Sequence, residues 1–415
     1  MTTCVPEDLA LLSGPDSRDL VRAALGPVEV EELTVEVEAV HHRPGFGVSA
    51  VYRVGYRHAG ATVREQLVAS TAEVPHLEGV ATLQDGEHHV RVWRRNDDPA
   101  LPGLRTATDA VVMGAWLHDL AGLGDGGQAH VSVLGYRPTR RAVLRTRCGD
   151  DVAYLKVLPA RRAHRLVARH ELLARAGVEA PRVLGTTKDG IVALSAMSGL
   201  PLATVIADAR RRPGAVPAPE QLAAWLDTLP PEVLDLPRRP SWVDRIDFHA
   251  TAARAALPGN AEEITTLEDG IGDVLAASPS GPVVPTHGDF YEANVFVADG
   301  RVRGAIDLDS LGPGAREDDL ATMLGHLSVL PALAPALYGH VPELTEEWFI
   351  SFAGRVDAAG LAARAAAVVV SLIAGASPDQ REARLVQAQR WLRRAHEELG
   401  AHLELGAHQE MGRKR

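Results

Sequence analysis

Apolar and polar residues alternate with a period of two in the first half of this chain and recur with a helical period in the second. Asp16 to Leu25 has helical spacing, and four strand-like runs follow, at Thr34 to Val40, Ser49 to Tyr56, Val63 to Ser70 and His88 to Trp93. Turn signals at Arg43-Pro44-Gly45 and Ala59-Gly60 punctuate them. Asn96 to Leu104 predicts a fixed loop, and Thr108 to Leu120 a helix. A second set of strands is predicted at Val131 to Leu134, Ala142 to Arg147 and Val152 to Leu158, then a helix from about Ala160 to Ala176 and a strand at Ile191 to Ala196. Beyond Leu202 the periodicity is helical. It covers Leu202 to Arg210, Glu220 to Thr228, Ala261 to Ala277, Asp318 to Ser328, Glu343 to Ala359, Leu361 to Ala374 and Pro378 to Leu405. One hairpin interrupts it, with apolar Val295 to Val297, a turn at Ala298-Asp299-Gly300, and Val302 to Ile306. The pattern divides the chain into an N-terminal α/β region (1–125), a β-rich lobe (126–200), an α-rich lobe (201–405) and a polar tail (406–415).

The two β-rich parts share a short likeness. His42 to Val54 and Tyr136 to Thr146 each read as a strand, an Arg-Pro turn and a strand with an outward Arg. The first copy's third strand, Gln66 to Ala69, has no lysine, which predicts a degenerate, nucleotide-free copy acting as a cap.

A length of 415 residues sets an expectation of two or three domains with a large core. The apolar fraction of 46% and charged fraction of 23% are those of a soluble globular chain. The longest apolar run, Ala365 to Ala374, is too short to span a bilayer. Acids at Glu7 and Asp8 exclude a secretory signal at the N-terminus. Cys4 and Cys148 stand too far apart for ligand spacing, so a disulfide framework and a zinc site are excluded and a cytoplasmic location is expected. The net charge of −11 argues against a nucleic-acid partner.

Candidate chemistry sits between Thr286 and Ala321, where His287, Asp289 and Asn294 fall in the order His-x-Asp-x-x-x-x-Asn and the hairpin leads to Asp307. Any one of these alone is an ordinary polar loop residue; the joint pattern points to a site. In kinase-type phosphoryl transfer an Asp takes the acceptor hydroxyl's proton, while an Asn five residues on and a later Asp hold Mg²⁺. Hard oxygen ligands suit that ion. The turn at Asp299-Gly300 folds Asp307 back beside the loop. Acids crowd the stretch, with Glu292, Asp309, Glu317, Asp318 and Asp319 in addition, a field that attracts Mg²⁺ and amine-bearing acceptors.

With His-Gly-Asp, the spaced Asn, Ile306-Asp307 and Asp319-Leu320-Ala321, the sequence resembles the aminoglycoside phosphotransferase and choline kinase-like family. The resemblance covers roughly Val131 to Ala374 and implies a two-lobed protein-kinase-like α/β fold, with a β-rich N-lobe and an α-rich C-lobe, here carrying an extra N-terminal α/β region. It implies Asp289 as general base, His287 as support for its loop, Asn294 and Asp307 as Mg²⁺ ligands, and Asp319 as a structural aspartate. Lys156, the one charge on its strand, and Glu171 on the next helix become the pair that sets the nucleotide's phosphates. Ala196, Met197 and Ser198 become a hinge whose backbone meets the adenine edge. Asp309 and Glu292 become acceptor contacts or neighbours of the metal. The implied co-substrate is ATP, and the implied acceptor a hydroxyl on a small polar molecule such as an aminoglycoside, sugar, aminosugar or amino alcohol.

There are departures. No glycine-rich loop lies between the first two strands of the second set; the loop is Arg137-Pro138-Thr139-Arg140-Arg141, where Arg140 or Arg141 would neutralise phosphate. Leu308 stands where the family often has Trp, and Phe290-Tyr291-Glu292-Ala293 replaces a common His-Pro-Gly. Three other readings stay open. One is a kinase acting on Ser or Thr of a peptide, docked by the N-terminal region. Another is a catalytically silent kinase-fold binding protein. The last is an acidic hydrolase using Asp289 and Asp307 as paired carboxylates, which would leave Asn294 and Lys156 idle.

Overall fold

The computed structural model describes residues 5–26, 31–43, 46–75, 79–85, 88–212 and 214–413. Helices α1 (Val5–Ser13) and α2 (Ser17–Leu25) precede strands β1 (Glu31–Arg43), β2 (Gly47–His58), β3 (Ala61–Ser70), β4 (Ala81–Asp85) and β5 (His88–Arg94). These strands form an antiparallel sheet in the order β1-β2-β3-β5-β4. Period-two alternation puts Tyr52, Val54, Leu67 and Ala69 on one face, where Leu12 and Val21 of the two helices cover them. The Tyr52 hydroxyl donates to the Leu12 carbonyl at 2.6 Å and ties sheet to helix. The predicted turn at Pro44-Gly45 lies outside the described residues.

After α3 (Leu104–Thr108) and α4 (Ala110–Ala121), strands β6 (His130–Arg137), β7 (Arg141–Cys148) and β8 (Asp151–Val157) lead through α5 (Ala160–Arg175) to β9 (Val183–Thr186) and β10 (Ile191–Ser195). Asp109 caps α4 by accepting from the amides of Val111 and Val112, and Gly122 ends it in the left-handed conformation. The second sheet has the order β6-β7-β8-β10-β9, the same as the first. The predicted strands are all present; β4, β9 and α1 were not foreseen, the two strands being too short for a periodic signal.

The chain divides into two compact units, residues 1–168 with 182–196, and residues 169–181 with 197–415. Both five-stranded sheets belong to the first. The second unit opens with β11 (Leu200–Pro201), α6 (Leu202–Ala207), α7 (Pro219–Asp227), α8 (Ile246–Ala256) and α9 (Ala261–Ala277). Short strands follow as β12 (Val283–Thr286), β13 (Val295–Ala298), β14 (Arg301–Ala305) and β15 (Gly312–Ala315). The unit closes with α10 (Arg316–Leu333), α11 (Pro335–Tyr338), α12 (Val341–Ala353), α13 (Ala358–Ile373) and α14 (Pro378–Arg413). The last helix runs past Leu405, where the sequence pattern ends it.

Helix α13 is apolar apart from Arg364 and Ser371 and lies in the core of this unit, with Leu361, Ala365, Val369 and Ile373 wholly buried. Each such Leu, Val or Ile contributes roughly 1.5–3 kcal/mol over an exposed one. Gly325 lets α10 pack closely, since a Cβ there would lie 2.7 Å from the Val368 side chain. Among the described residues no helix is long and apolar enough to cross a membrane.

Candidate active site

Strand β12 delivers the chain to the candidate loop. It pairs with β15, and the Thr286 hydroxyl donates to the Gly312 carbonyl at 2.8 Å. The next two residues are held by one side chain. Asp319, in the first turn of α10 and wholly buried, accepts from the His287 amide at 2.8 Å and the Gly288 amide at 2.7 Å. Burial pushes its carboxyl up to about 7, while the two amides and Arg316 pull the other way. Gly288 takes a φ of +77°, and a Cβ there would lie 2.6 Å from the Ser310 carbonyl oxygen. Only glycine meets both conditions.

His287 is buried and acts through both ring nitrogens. Nε2 donates to the Ile306 carbonyl at 2.9 Å, which leaves Nδ1 to accept from the Asp289 amide at 3.3 Å. The ring is wedged near Phe290, at 5.9 Å between centroids, and Phe290 stacks on Trp225 of α7 at 5.6 Å. The motif gave no signal for Trp225; only its apolar spacing within a helix headed by Pro219 marked it as core.

The hairpin does what its turn residues predict. Asp299 and Gly300 both have positive φ, the signature of a two-residue turn that matches strand twist. β13 and β14 then pair from Ala298 with Arg301 to Val295 with Ala305. One residue later the Ile306 amide donates to the Asn294 carbonyl at 2.8 Å. Asp307, the next residue, has φ +62° and ψ +55°, a left-handed conformation that Asp adopts more readily than most non-glycine residues. The Asn294 side-chain amide donates to the Asp289 carbonyl at 2.9 Å. Its other end, a carbonyl oxygen, is the atom a cation would take. Asp289, Asn294 and Asp307 are therefore linked through His287 and Ile306 backbone contacts within one unit.

Glu292 is 5% exposed, with its backbone carbonyl accepting from the Ala203 amide at 2.9 Å and its Oε2 lacking a hydrogen-bond partner. Burial pushes its carboxyl up to about 7, with the Asp289 charge adding to the effect. Asp309 is fixed through its backbone, where Arg239 donates to its carbonyl at 3.0 Å and to the Ser310 hydroxyl at 2.9 Å.

In the other unit, Lys156 lies on β8 between Val143 of β7 and Val192 of β10 and is 8% exposed. Arg140 closes the β6–β7 turn, its amide donating to the Arg137 carbonyl at 3.0 Å and its carbonyl accepting from Arg162 at 3.3 Å. Glu171 belongs to the second unit. Its side chain is 56% exposed and 3.9 Å from Arg175, a neighbour one helical turn on, while Arg169 and His170 are the buried residues beside it. Arg169 donates to the Leu311 carbonyl at 3.1 Å. The chain passes from the first unit to the second between Ala196 and Met197. There the Ser198 hydroxyl donates to Glu179 at 3.1 Å.

The donor set fits Mg²⁺. Among the described residues no cluster of three or more His, Cys, Asp or Glu side chains is placed to hold a metal. One carboxylate and one amide oxygen, Asp307 and Asn294, are what an ion needs when phosphates and water fill its remaining positions.

A sequence profile of the phosphotransferase enzyme family matches residues 119–340, more than half the chain. No curated protein matches in sequence. Among solved structures, the chain is similar to the macrolide 2'-phosphotransferase MphH from Brachybacterium faecium, at 19% identity and a TM-score of 0.40 over 66% of this chain and 96% of that one. It is similar to a choline/ethanolamine kinase family protein from Mesorhizobium loti, at 18% identity and a TM-score of 0.46 over 69% and 97%. It is also similar to the aminoglycoside phosphotransferase APH(4)-Ia, in a ternary complex with ADP and hygromycin B, at 15% identity and a TM-score of 0.47 over 67% and 97%.

Proposed function

The chain belongs to the phosphotransferase enzyme family, and from that premise we propose that it transfers the terminal phosphoryl group of ATP, with Mg²⁺, to a hydroxyl of a small polar acceptor. One observation supports this reading: Ile306, next to Asp307, is tied to the Asp289–Asn294 loop through the His287 ring and the Asn294 carbonyl, while the Asp319 carboxylate holds the His287 and Gly288 amides.

In this scheme the acceptor hydroxyl gives its proton to Asp289 as its oxygen attacks the γ-phosphorus. The bond to the β-phosphate oxygen breaks on the opposite side, leaving ADP. Asn294 and Asp307 would hold Mg²⁺, which neutralises charge on the phosphates. Lys156 steadies the α- and β-phosphates with Glu171 as its proposed partner, and Arg140 on the β6–β7 turn would add positive charge there. Backbone groups of Ala196, Met197 and Ser198 take the adenine edge. Positioning and electrostatics supply most of the rate gain.

Glu292 supports an acceptor that brings a cation or several hydroxyls. A buried carboxyl with one oxygen lacking a hydrogen-bond partner, on the same loop as the proposed base, gains from a donor on a bound molecule. Aminosugars, aminoglycosides and amino alcohols have that chemistry, and Asp309 is a further contact for them. We assign residues 126–200 to the N-lobe, 201–405 to the C-lobe and 1–125 to an extra domain. The buried free thiol of Cys148 fits a cytoplasmic location.

The test is to incubate the purified chain with Mg·ATP and a panel of polar acceptors, with a Ser/Thr peptide mixture alongside. Phosphoryl-sized mass gain on a small hydroxyl compound supports the proposal. Gain on peptides alone replaces the acceptor class, and absence of both turnover and nucleotide binding overturns it.

A further inference from the structure

The first sheet repeats the second in strand order, and the register shows what it lacks. Lys156 pairs with Val143, which stands two residues past Arg141, where the β6–β7 hairpin closes. In the first sheet the β1–β2 hairpin closes at Gly47, and two residues on Ser49 pairs with Ser70. Ser70 thus occupies the place of Lys156. It is wholly buried, with its hydroxyl 2.7 Å from that of Ser49, so the first sheet has no cation there to hold a phosphate.

What the first sheet does offer the second lies at the end of β5. Asp98 is 2% exposed, and its Oδ2 accepts from the Thr139 amide at 2.7 Å and from the Tyr136 hydroxyl at 2.7 Å. Its Oδ1 accepts from the Ala100 amide at 2.9 Å. Trp93 of β5 donates from its indole to the same Tyr136 oxygen at 3.4 Å. Burial keeps the Tyr136 hydroxyl protonated and therefore a donor. Thr139 sits at φ +60°, a left-handed conformation that strains a β-branched residue. The turn between β6 and β7, Pro138-Thr139-Arg140, contains no glycine. A kinase glycine loop fits itself over the phosphates by its own freedom. Here the shape is imposed by a buried carboxylate from outside the hairpin.

We propose that Asp98, supported by Tyr136 and Trp93, is a positioning residue that fixes the β6–β7 turn in its phosphate-facing shape, making the N-terminal region part of the nucleotide-binding apparatus. This deepens the phosphotransferase reading and rests on it. Asp98 touches no reacting atom; it acts through the Thr139 amide.

The test titrates Mg·mant-ATP into the full chain and measures adenosine affinity by competition, for the native chain and three variants. Asp98→Asn keeps the side-chain shape but loses a carboxylate acceptor, and its ATP affinity is expected to fall about tenfold, as for loss of one charge-assisted hydrogen bond. Adenosine affinity stays within about twofold, because the turn faces phosphate and not base. Tyr136→Phe weakens ATP about threefold, leaving the Thr139 bond. Adding Thr139→Gly to Asp98→Asn recovers part of the loss, since glycine takes positive φ without the clamp. Equal ATP affinity in native chain and Asp98→Asn overturns the clamp while sparing the phosphotransferase reading. So does a parallel loss of ATP and adenosine affinity with no rescue, which marks a merely structural residue. A native chain that binds no nucleotide overturns both.

Discussion

Replacing Gly288 by alanine tests how tightly the catalytic loop is coupled to Asp307. The position has φ +77°, and putting an L side chain there costs about 1–2 kcal/mol in backbone strain alone. The new Cβ would stand 2.6 Å from the Ser310 carbonyl oxygen and 2.9 Å from the Ser310 Cβ, so Ser310 must move. Overpacking of this kind adds about 1–3 kcal/mol. The sum, roughly 2–5 kcal/mol, does not exceed the ~5–15 kcal/mol stability of a typical domain, and the variant is expected to fold. Ser310 lies three residues past Asp307 and is fixed by Arg239, so its displacement propagates to the carboxylate that would hold Mg²⁺. A shift of about 1 Å at such a site costs on the order of a hundredfold in rate. Urea unfolding gives the stability change, and single-turnover phosphoryl transfer under excess enzyme gives the rate per folded molecule. Native turnover by the folded variant, or a stability loss under about 1 kcal/mol, would refute the coupling.

Three further outcomes follow from the same geometry. Asp289→Asn should leave nucleotide affinity within about twofold while abolishing transfer, at a cost of at least about 10²-fold; equal loss of both would remove Asp289 from the role of base. Lys156→Ala should weaken Mg·ATP binding by about tenfold or more, and an unchanged dissociation constant would place Lys156 outside the site. Asp319 has its folded pKa raised to about 7 from 3.8, so the folded chain holds the extra proton between those values and stability falls as pH rises through that window. About three units at 1.36 kcal/mol each gives about 4 kcal/mol. The native chain should therefore lose about 4 kcal/mol more than Asp319→Asn between pH 4 and 7 in urea titrations; parallel curves would show that the carboxylate is not penalised by burial.

The sequence made the site legible because its chemistry is local. Gly288 is required by one contact and one dihedral angle, and Asp299-Gly300 by one turn type; each leaves a residue signature that needs no knowledge of the fold. What stayed hidden depends on distant partners. β12 and β15 read as loops because Pro285, Gly312, Pro313 and Gly314 argue against a strand, yet they pair with each other across the whole hairpin. Asp98 fell in a stretch recognisable as a fixed loop, but nothing near it in sequence names Thr139 as what it fixes.

The remaining question is what holds Asp307 in its left-handed conformation. The answer lies one residue earlier. Ile306 spends both backbone groups on the catalytic loop, its amide on the Asn294 carbonyl and its carbonyl on His287 Nε2. Each of these two hydrogen bonds contributes about 1 kcal/mol toward fixing the segment. His287 makes its bond only while Asp319 holds the His287 and Gly288 amides in place. The Asp307 backbone is therefore linked to a buried acid twelve residues downstream through the His287 ring and the Ile306 peptide groups.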